Sequence, residues 1–304
     1  MKIRVGVGLA SAATGSLTTE AFWTIVDACE ALGWDSIWFS ERVASDAPDP
    51  LVAMAAVAGR TSRLKFGPSV MVVPGRNPAL LAKQLATLDV LSGGRLVAAF
   101  GLGVEGGSDR AIFSVEKADA PGITDEAVAL IRRLWSGERV TFEGRYFRLD
   151  GVAVGPRPVQ KPHPDVWFGG VSPAALRRVG KHGDGWLPSF VTVGEYAEKA
   201  DAVRRLAAEH GRAVDEEHFG ALVPYMPEGL GLEEQVLTVV SARRPGVEPR
   251  DMVVVDGLDA LRARLEAFVD AGAGKFVVTP VLPPRDWTEE LRRVRAEVAE
   301  KLEN

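Results

Sequence analysis

The stretch GRLVAAFGLGVEGGSDR, residues 94–110, decides how this chain is read. Residues 96–101 form an apolar run of strand length that breaks into a glycine-rich loop. Gly101, Gly103 and Gly106 spell G-x-G-x-x-G, the spacing of a dinucleotide-binding turn. That turn belongs after the first strand of a βαβ unit, with an acid at the end of the next strand about 20 residues on. Here the run is the fourth strand candidate, and Asp119, Asp125 and Glu126 fall in a loop and a helical pattern. The dinucleotide reading is therefore set aside. Two compatible readings of Gly101 and Gly103 remain. They relieve crowding where the strand leaves its sheet, or they let a flat ring lie against the backbone.

Working outward, apolar strand-length runs recur at residues 3–9, 36–40, 64–72, 96–101, 165–169, 185–188, 219–225 and 275–281. Several are apolar throughout rather than alternating, as parallel strands covered on both faces require. Helical patterns fill the gaps at 18–32, 50–60, 78–91, 172–181, 193–210, 258–271 and 287–302. Asp49, Asn77 and Ser172 are good N-caps, each followed by a proline that suits the first helical position. Gly33 suits the turn just past a helix end. Strands alternating with helices in this number predict an α/β protein, a right-handed parallel (β/α)8 TIM barrel in one domain over residues 1–304. An open doubly wound sheet is the rival.

The spacing is uneven. Residues 104–164, between the fourth and fifth runs, hold a helical pattern at 124–135 and a hairpin pattern, RVTFEGRYFRLDG, with Glu143 and Gly144 near its turn. A second, less regular stretch covers residues 227–255. Both follow strands, so both are expected as insertions at the C-terminal face of the barrel, where long excursions serve as lids or binding loops.

Composition excludes several functions. The chain has 304 residues, 46% hydrophobic and 25% charged, and a core of this size needs no disulfide or metal staple. The formal net charge is −5 with no lysine/arginine block, which argues against nucleic acid and acidic membranes as partners. Lys2 and Arg4 before VGVGLASAA mimic a short signal peptide, but the alternation of Val5, Gly6, Val7 and Gly8 suits a first strand better. No apolar run is long enough to cross a bilayer. The single cysteine, Cys29, shares a helical pattern with Phe22, Ile25 and Val26 and reads as a small buried apolar residue. One cysteine allows no intrachain disulfide, and a cytoplasmic location is expected. His163, His182, His210 and His218 are scattered, so no metal site is expected.

A family resemblance becomes specific at GPSVMVVPGRNPALLAKQLATLDVLSGGRLVAAFGLG, residues 67–103. This stretch resembles the third strand, helix and fourth strand of luciferase-like monooxygenases, and most of all their deazaflavin (coenzyme F420)-dependent oxidoreductase branch. The match is strongest at RNPA (76–79) and ATLDVLSGGR (86–95). VWFGGVSP (166–173) resembles the family's fifth strand and phosphate turn, and RVGKHGDGWLP (178–188) its approach to strand six.

The resemblance implies a barrel with its cofactor at the C-terminal mouth. It implies a non-prolyl cis peptide between Ser69 and Val70, making a bulge that backs the ring system. Residues placed against the cofactor on this basis are Ser69, Val70, Met71, Arg76, Gly101, Gly103, Val104, Glu105, Gly169, Gly170, Val171 and Ser172. The phosphate turn also follows from chemistry. Residues 169–173 end a strand and open a helix whose free N–H groups and dipole favour an anion. The alternative for that turn is a merely well-capped helix. Glu105 is otherwise a solvated loop acid, and Arg76 meets either the cofactor tail or solvent.

WFSER, residues 38–42, departs from the family pattern. Dehydrogenases of the family often carry an acid and a histidine there. Here Glu41 is followed by Arg42, a poor proton shuttle but a good anion anchor. Glu41 and Arg42 are the catalytic candidates, Glu41 as a proton relay; an ion-pair network between them closing the rim is the structural alternative. His182 precedes strand six on the side away from the mouth and reads as structural. Asp184 is expected to cap backbone N–H groups, and Trp186 to enter the core.

The expected function is hydride transfer between the deazaflavin C5 of F420 and a small organic substrate. The runner-up is a monooxygenase using reduced FMN and oxygen, and a third reading is a cofactor-binding protein without turnover. The resemblance leaves a homodimer open.

Overall fold

The structure, a computed structural model, describes residues 1–10, 18–103 and 107–303. In chain order its strands are β1 (Arg4–Leu9), β2 (Ser36–Phe39), β3 (Lys65–Pro68), β4 (Met71–Val72), β5 (Ala98–Gly101), β6 (Val140–Glu143), β7 (Arg148–Val152), β8 (Val166–Phe168), β9 (Gly185–Trp186), β10 (Gly220–Tyr225) and β11 (Lys275–Pro280). The helices are α1 (Thr19–Ala31), α2 (Pro50–Arg60), α3 (Pro78–Ser92), α4 (Gly107–Phe113), α5 (Ala120–Trp135), α6 (Pro173–His182), α7 (Val193–Glu209), α8 (Glu233–Arg243), α9 (Pro249–Met252), α10 (Gly257–Asp270), α11 (Trp287–Val294) and α12 (Glu300–Glu303).

One sheet runs β10-β11-β1-β2-β3 and the other β4-β5-β8-β9, with parallel pairing throughout both. Parallel bridges between Phe66 and Leu96 at one seam, and between Trp186 and Phe219 and Ser189 and Leu222 at the other, carry the order round. β3 and β4 are two halves of one barrel position. The first strand thus lies beside the last, an arrangement of the (β/α)8 type that does not fit an open doubly wound sheet. The β6–β7 hairpin is antiparallel and stands apart.

Local chemistry accounts for the helix starts. Asp49 accepts from the Val52 N–H at 3.0 Å, Asn77 from Ala79 and Leu80 at 3.0 and 3.1 Å, and Ser172 from Ala175 at 3.2 Å. Three differences from the sequence expectation stand out. The third strand run is broken at Ser69 and Val70. The helix of the first excursion begins at Ala120 rather than 124. The second excursion contains α8 and α9; Val236, Val239 and Val240 have helical spacing, but the run is short and the sequence reading left this stretch irregular.

A large apolar layer, Cys29 included, lies between the sheets and the helices, and burial pushes the Cys29 thiol well up. Inside the barrel, Trp38, Ala99, Trp167, Leu187 and Val277 form a separate cluster. Beneath them Lys275 Nζ pairs with Asp35 and donates to Ser36 Oγ at 2.8 Å, while Trp38 Nε1 donates to the same Oγ at 2.9 Å. Burial works to raise the Asp35 carboxyl, but the Lys275 charge and hydrogen bond outweigh it and hold the group below its ordinary value. These residues start β2 and β11, so they plug the amino-terminal end of the barrel. No helix among the described residues is long and apolar enough to cross a membrane.

Candidate functional site

A cavity of about 670 Å³ opens at the opposite end. Its wall takes residues at or just past the carboxyl end of each barrel position, from Ala10 after β1 and Ser40 after β2 to Gly169 after β8 and Val281 after β11. Parallel closure makes those ends converge, so one rim can collect side chains from distant parts of the chain.

The back wall is the break in the third strand. The Ser69–Val70 peptide is cis, and both residues line the cavity. The bulge is held by the Ser69 N–H donating to the Phe39 carbonyl at 2.8 Å and the Val72 N–H donating to Glu41 Oε2 at 2.5 Å. The glycine loop finds its explanation here. A Cβ on Gly101 would lie 2.4 Å from Val70 Cγ2, so the missing side chain makes room for the bulge itself. Gly103 also lines the cavity. Met71 does not: it is fully buried in the apolar layer outside the barrel, because successive side chains on a strand point to opposite faces. Val104 and Glu105 lie outside the described residues.

A second wall is the turn from β8 into α6. Gly169, Gly170 and Ser172 line the cavity, while Val171 packs toward the apolar layer. Gly170 has φ 89°, a conformation that side chains rarely adopt. Trp186 Nε1 donates to the Gly170 carbonyl at 2.9 Å and fixes the turn from below. Ser172 caps α6, whose positive end therefore faces the cavity. Arg178, farther along α6, also lines the cavity and donates from Nε to Asp125 Oδ1 at 2.5 Å.

The rim charges pair differently from the sequence expectation. Glu41 and Arg42 both line the cavity but do not pair with each other. Glu41 pairs with Arg76, whose Nε also donates to the Val72 carbonyl at 3.0 Å. Arg42 Nε donates to Asp109 Oδ2 at 2.6 Å, and Asp109 Oδ1 accepts from the Ala44 N–H at 2.6 Å. Adjacent residues in extended chain point apart, so each finds a partner from another loop. Arg76 is thus neither a free surface group nor part of the cavity wall: it braces Glu41. Burial pushes the Glu41 carboxyl above its ordinary value, and the Arg76 charge and Val72 N–H only partly offset this.

On the far side, Asp184 accepts from the Val166 N–H at 2.9 Å and pairs with Arg132 and Arg212. His182 is half-buried, and burial pushes its pKa down to about 4. Trp186 is fully buried. Among the described residues no group of three or more His, Cys, Asp or Glu is placed to hold a metal ion. Sequence reasoning missed Asp109, Asp125, Arg178 and Arg243, all of which matter to the cavity's charge. Their partners lie far away in sequence, so no local pattern marks them.

Residues 3–227 match the model of the luciferase-like monooxygenase family. The chain belongs to that family. Among curated relatives it is 38% identical over 167 residues to the F420-dependent glucose-6-phosphate dehydrogenase of Kineococcus radiotolerans, covering 52% of this chain and 49% of that one. It is 35% identical over 157 residues to the phthiodiolone/phenolphthiodiolone dimycocerosates ketoreductase of Mycobacterium kansasii, covering 51% and 42%. The match thus spans about half the length of these curated relatives or less. In fold the chain is similar to an F420-dependent secondary alcohol dehydrogenase in complex with an F420-acetone adduct, with TM-score 0.83, 19% identity and coverage of 98% and 99%. It is also similar to the oxygenating constituent of 3,6-diketocamphane monooxygenase of Pseudomonas putida in complex with FMN, with TM-score 0.80, 19% identity and coverage of 99% and 98%.

Proposed function

We propose that this protein is an F420-dependent oxidoreductase acting on a small organic substrate. One observation carries the reading: a single cavity brings together the cis bulge at Ser69 and Val70 and the anion-favouring turn at residues 169–172. A flat tricyclic ring with a phosphate on its tail needs those two features at one rim. The name of the Kineococcus relative favours the deazaflavin coenzyme among ring systems of this shape.

The bulge would back one face of the ring, and the N–H groups opening α6 would hold the phosphate. Bound in this way, the coenzyme supplies hydride chemistry at its deazaflavin C5. The protein's own share is to hold ring and substrate face to face in the cavity. Glu41 is the only acid among the described residues that line this cavity, and its raised pKa suits it to hold a proton at a carboxylate oxygen. Arg42, committed to Asp109, orders the rim rather than moving a proton.

The same bulge and turn would suit FMN, whose ring is also tricyclic and whose tail also ends in phosphate. The test is a side-by-side equilibrium titration of the purified protein with oxidised F420 and with reduced FMN under anaerobic conditions. Micromolar binding of F420 with weak FMN binding is expected. Tight binding of reduced FMN without F420 binding would transfer the protein to the monooxygenase reading. F420 binding without redox change across a broad panel of alcohols, aldehydes and ketones would make it a binding protein.

A further inference from the structure

Among the described residues, the charges that wall the cavity pair off with one exception. Glu41 is matched by Arg76, Arg42 by Asp109 and Arg178 by Asp125. Arg243, the last residue of α8, lines the same cavity and has no carboxylate partner among the described residues.

Arg243 is held rather than left to swing in solvent. Its guanidinium lies over the Phe190 ring, 4.6 Å from the centroid. Phe190 itself has φ 52°, unusual for a bulky side chain. The next residue, Arg244, turns the other way. It donates to the Phe190 carbonyl at 2.9 Å and to both oxygens of Glu195 at 2.8 and 2.6 Å. Glu195 closes the capping box of α7 with Thr192, so the end of α8 is fastened to a packed helix. Burial, and then the charge of Arg42, lower the proton affinity of Arg243.

The rest of the inward face of α8 is different in kind. Val236, Val239 and Val240 stand one turn or less from their neighbours on the stripe that ends at Arg243, and all line the cavity. Val236 and Val240 are buried and Val239 is exposed, so an apolar stripe along the cavity wall ends in a cation with no carboxylate partner among the described residues.

We propose that the cavity takes an organic substrate with an apolar body and an anionic end group, a carboxylate in the simplest case, with the body along the valine stripe and the anion on Arg243. The term substrate rests on the coenzyme reading above; the binding site itself does not. The turn at residues 169–172 already offers the coenzyme's phosphate a place on a different loop, which leaves Arg243 for the substrate.

The test uses octanoate and 1-octanol as probes in calorimetric titrations of the wild-type protein and Arg243→Gln. Octanoate should bind the wild type about tenfold more tightly than octanol, weaken about tenfold in the variant and weaken with added salt, while octanol stays unchanged. Arg243→Lys should keep part of the discrimination. Equal binding of the two probes to the wild type, or unchanged octanoate binding in Arg243→Gln, would overturn the proposal. F420 is titrated in parallel. A variant that loses F420 affinity but not octanoate affinity would assign Arg243 to the coenzyme's acidic tail and overturn it too. Octanoate discrimination in a wild-type protein that binds no F420 would support the anion site while removing the coenzyme reading.

Discussion

The two ends of the barrel handle space and charge in opposite ways. At the amino-terminal end Trp38 and Trp167 fill the interior, and a Cβ on Gly185 would lie 2.3 Å from the Trp167 ring. The plug of Lys275, Asp35 and Ser36 matches charge with charge and hydroxyl. At the carboxyl-terminal end there is a cavity of about 670 Å³, and one of its cations has no carboxylate partner among the described residues. The contrast is a division of labour: the plugged end is filled and charge-matched, and the open end is the one proposed for recognition.

The largest expected effect would break that division at the plugged end. Lys275→Met removes the main partner of Asp35 and leaves Lys65, 4.0 Å away, as the remaining cation. A loss of about 3–5 kcal/mol in urea unfolding is expected, because a buried charge is left uncompensated. Adding Asp35→Asn should recover part of it. F420 affinity of the folded fraction should not change; a large change would mean that the two ends are not independent.

The next effect belongs to the open end. Gly170→Ala forces a side chain onto φ 89° and sets its Cβ 3.0 Å from the Ala175 Cβ. The turn must open, and F420 affinity should fall about tenfold, the loss of one charge-assisted hydrogen bond. A phosphate-free deazaflavin should be much less affected. Equal losses for both ligands would sever the turn from the phosphate.

The smallest effect is a slope. The His182 imidazole stays neutral in the folded state down to a pKa of about 4, against an ordinary value of 6.5, because burial disfavours its charge. Between those values the unfolded chain takes up a proton that the folded chain refuses. Stability should therefore fall as pH drops from about 6.5 toward 4. His182→Gln should flatten this part of the profile without moving F420 affinity, as fits a residue away from the mouth. An unchanged slope would mean that His182 is hydrated in solution.

Much of this contrast was legible in the sequence. The apolar runs and the three caps followed by proline marked most strands and helices, because they depend on local chemistry. The turn at residues 169–172 was legible for the same reason. The bulge was not: Ser69 and Val70 look like ordinary strand, and only the family resemblance singled them out. The rim charges were not legible either. Glu41 reaches across to Arg76, Arg42 to Asp109 and Arg178 to Asp125, and each pairing depends on how separate loops converge. Arg243 lay in the stretch 227–255, which was read only as a less regular excursion.

The most direct measurement is a crystal structure of the protein with oxidised F420. The account expects one ring face against Ser69 and Val70, with the phosphate within hydrogen-bonding distance of the backbone N–H groups of residues 170–172. A ring lying away from the cis peptide, or a phosphate seated on Arg243 instead, would contradict it.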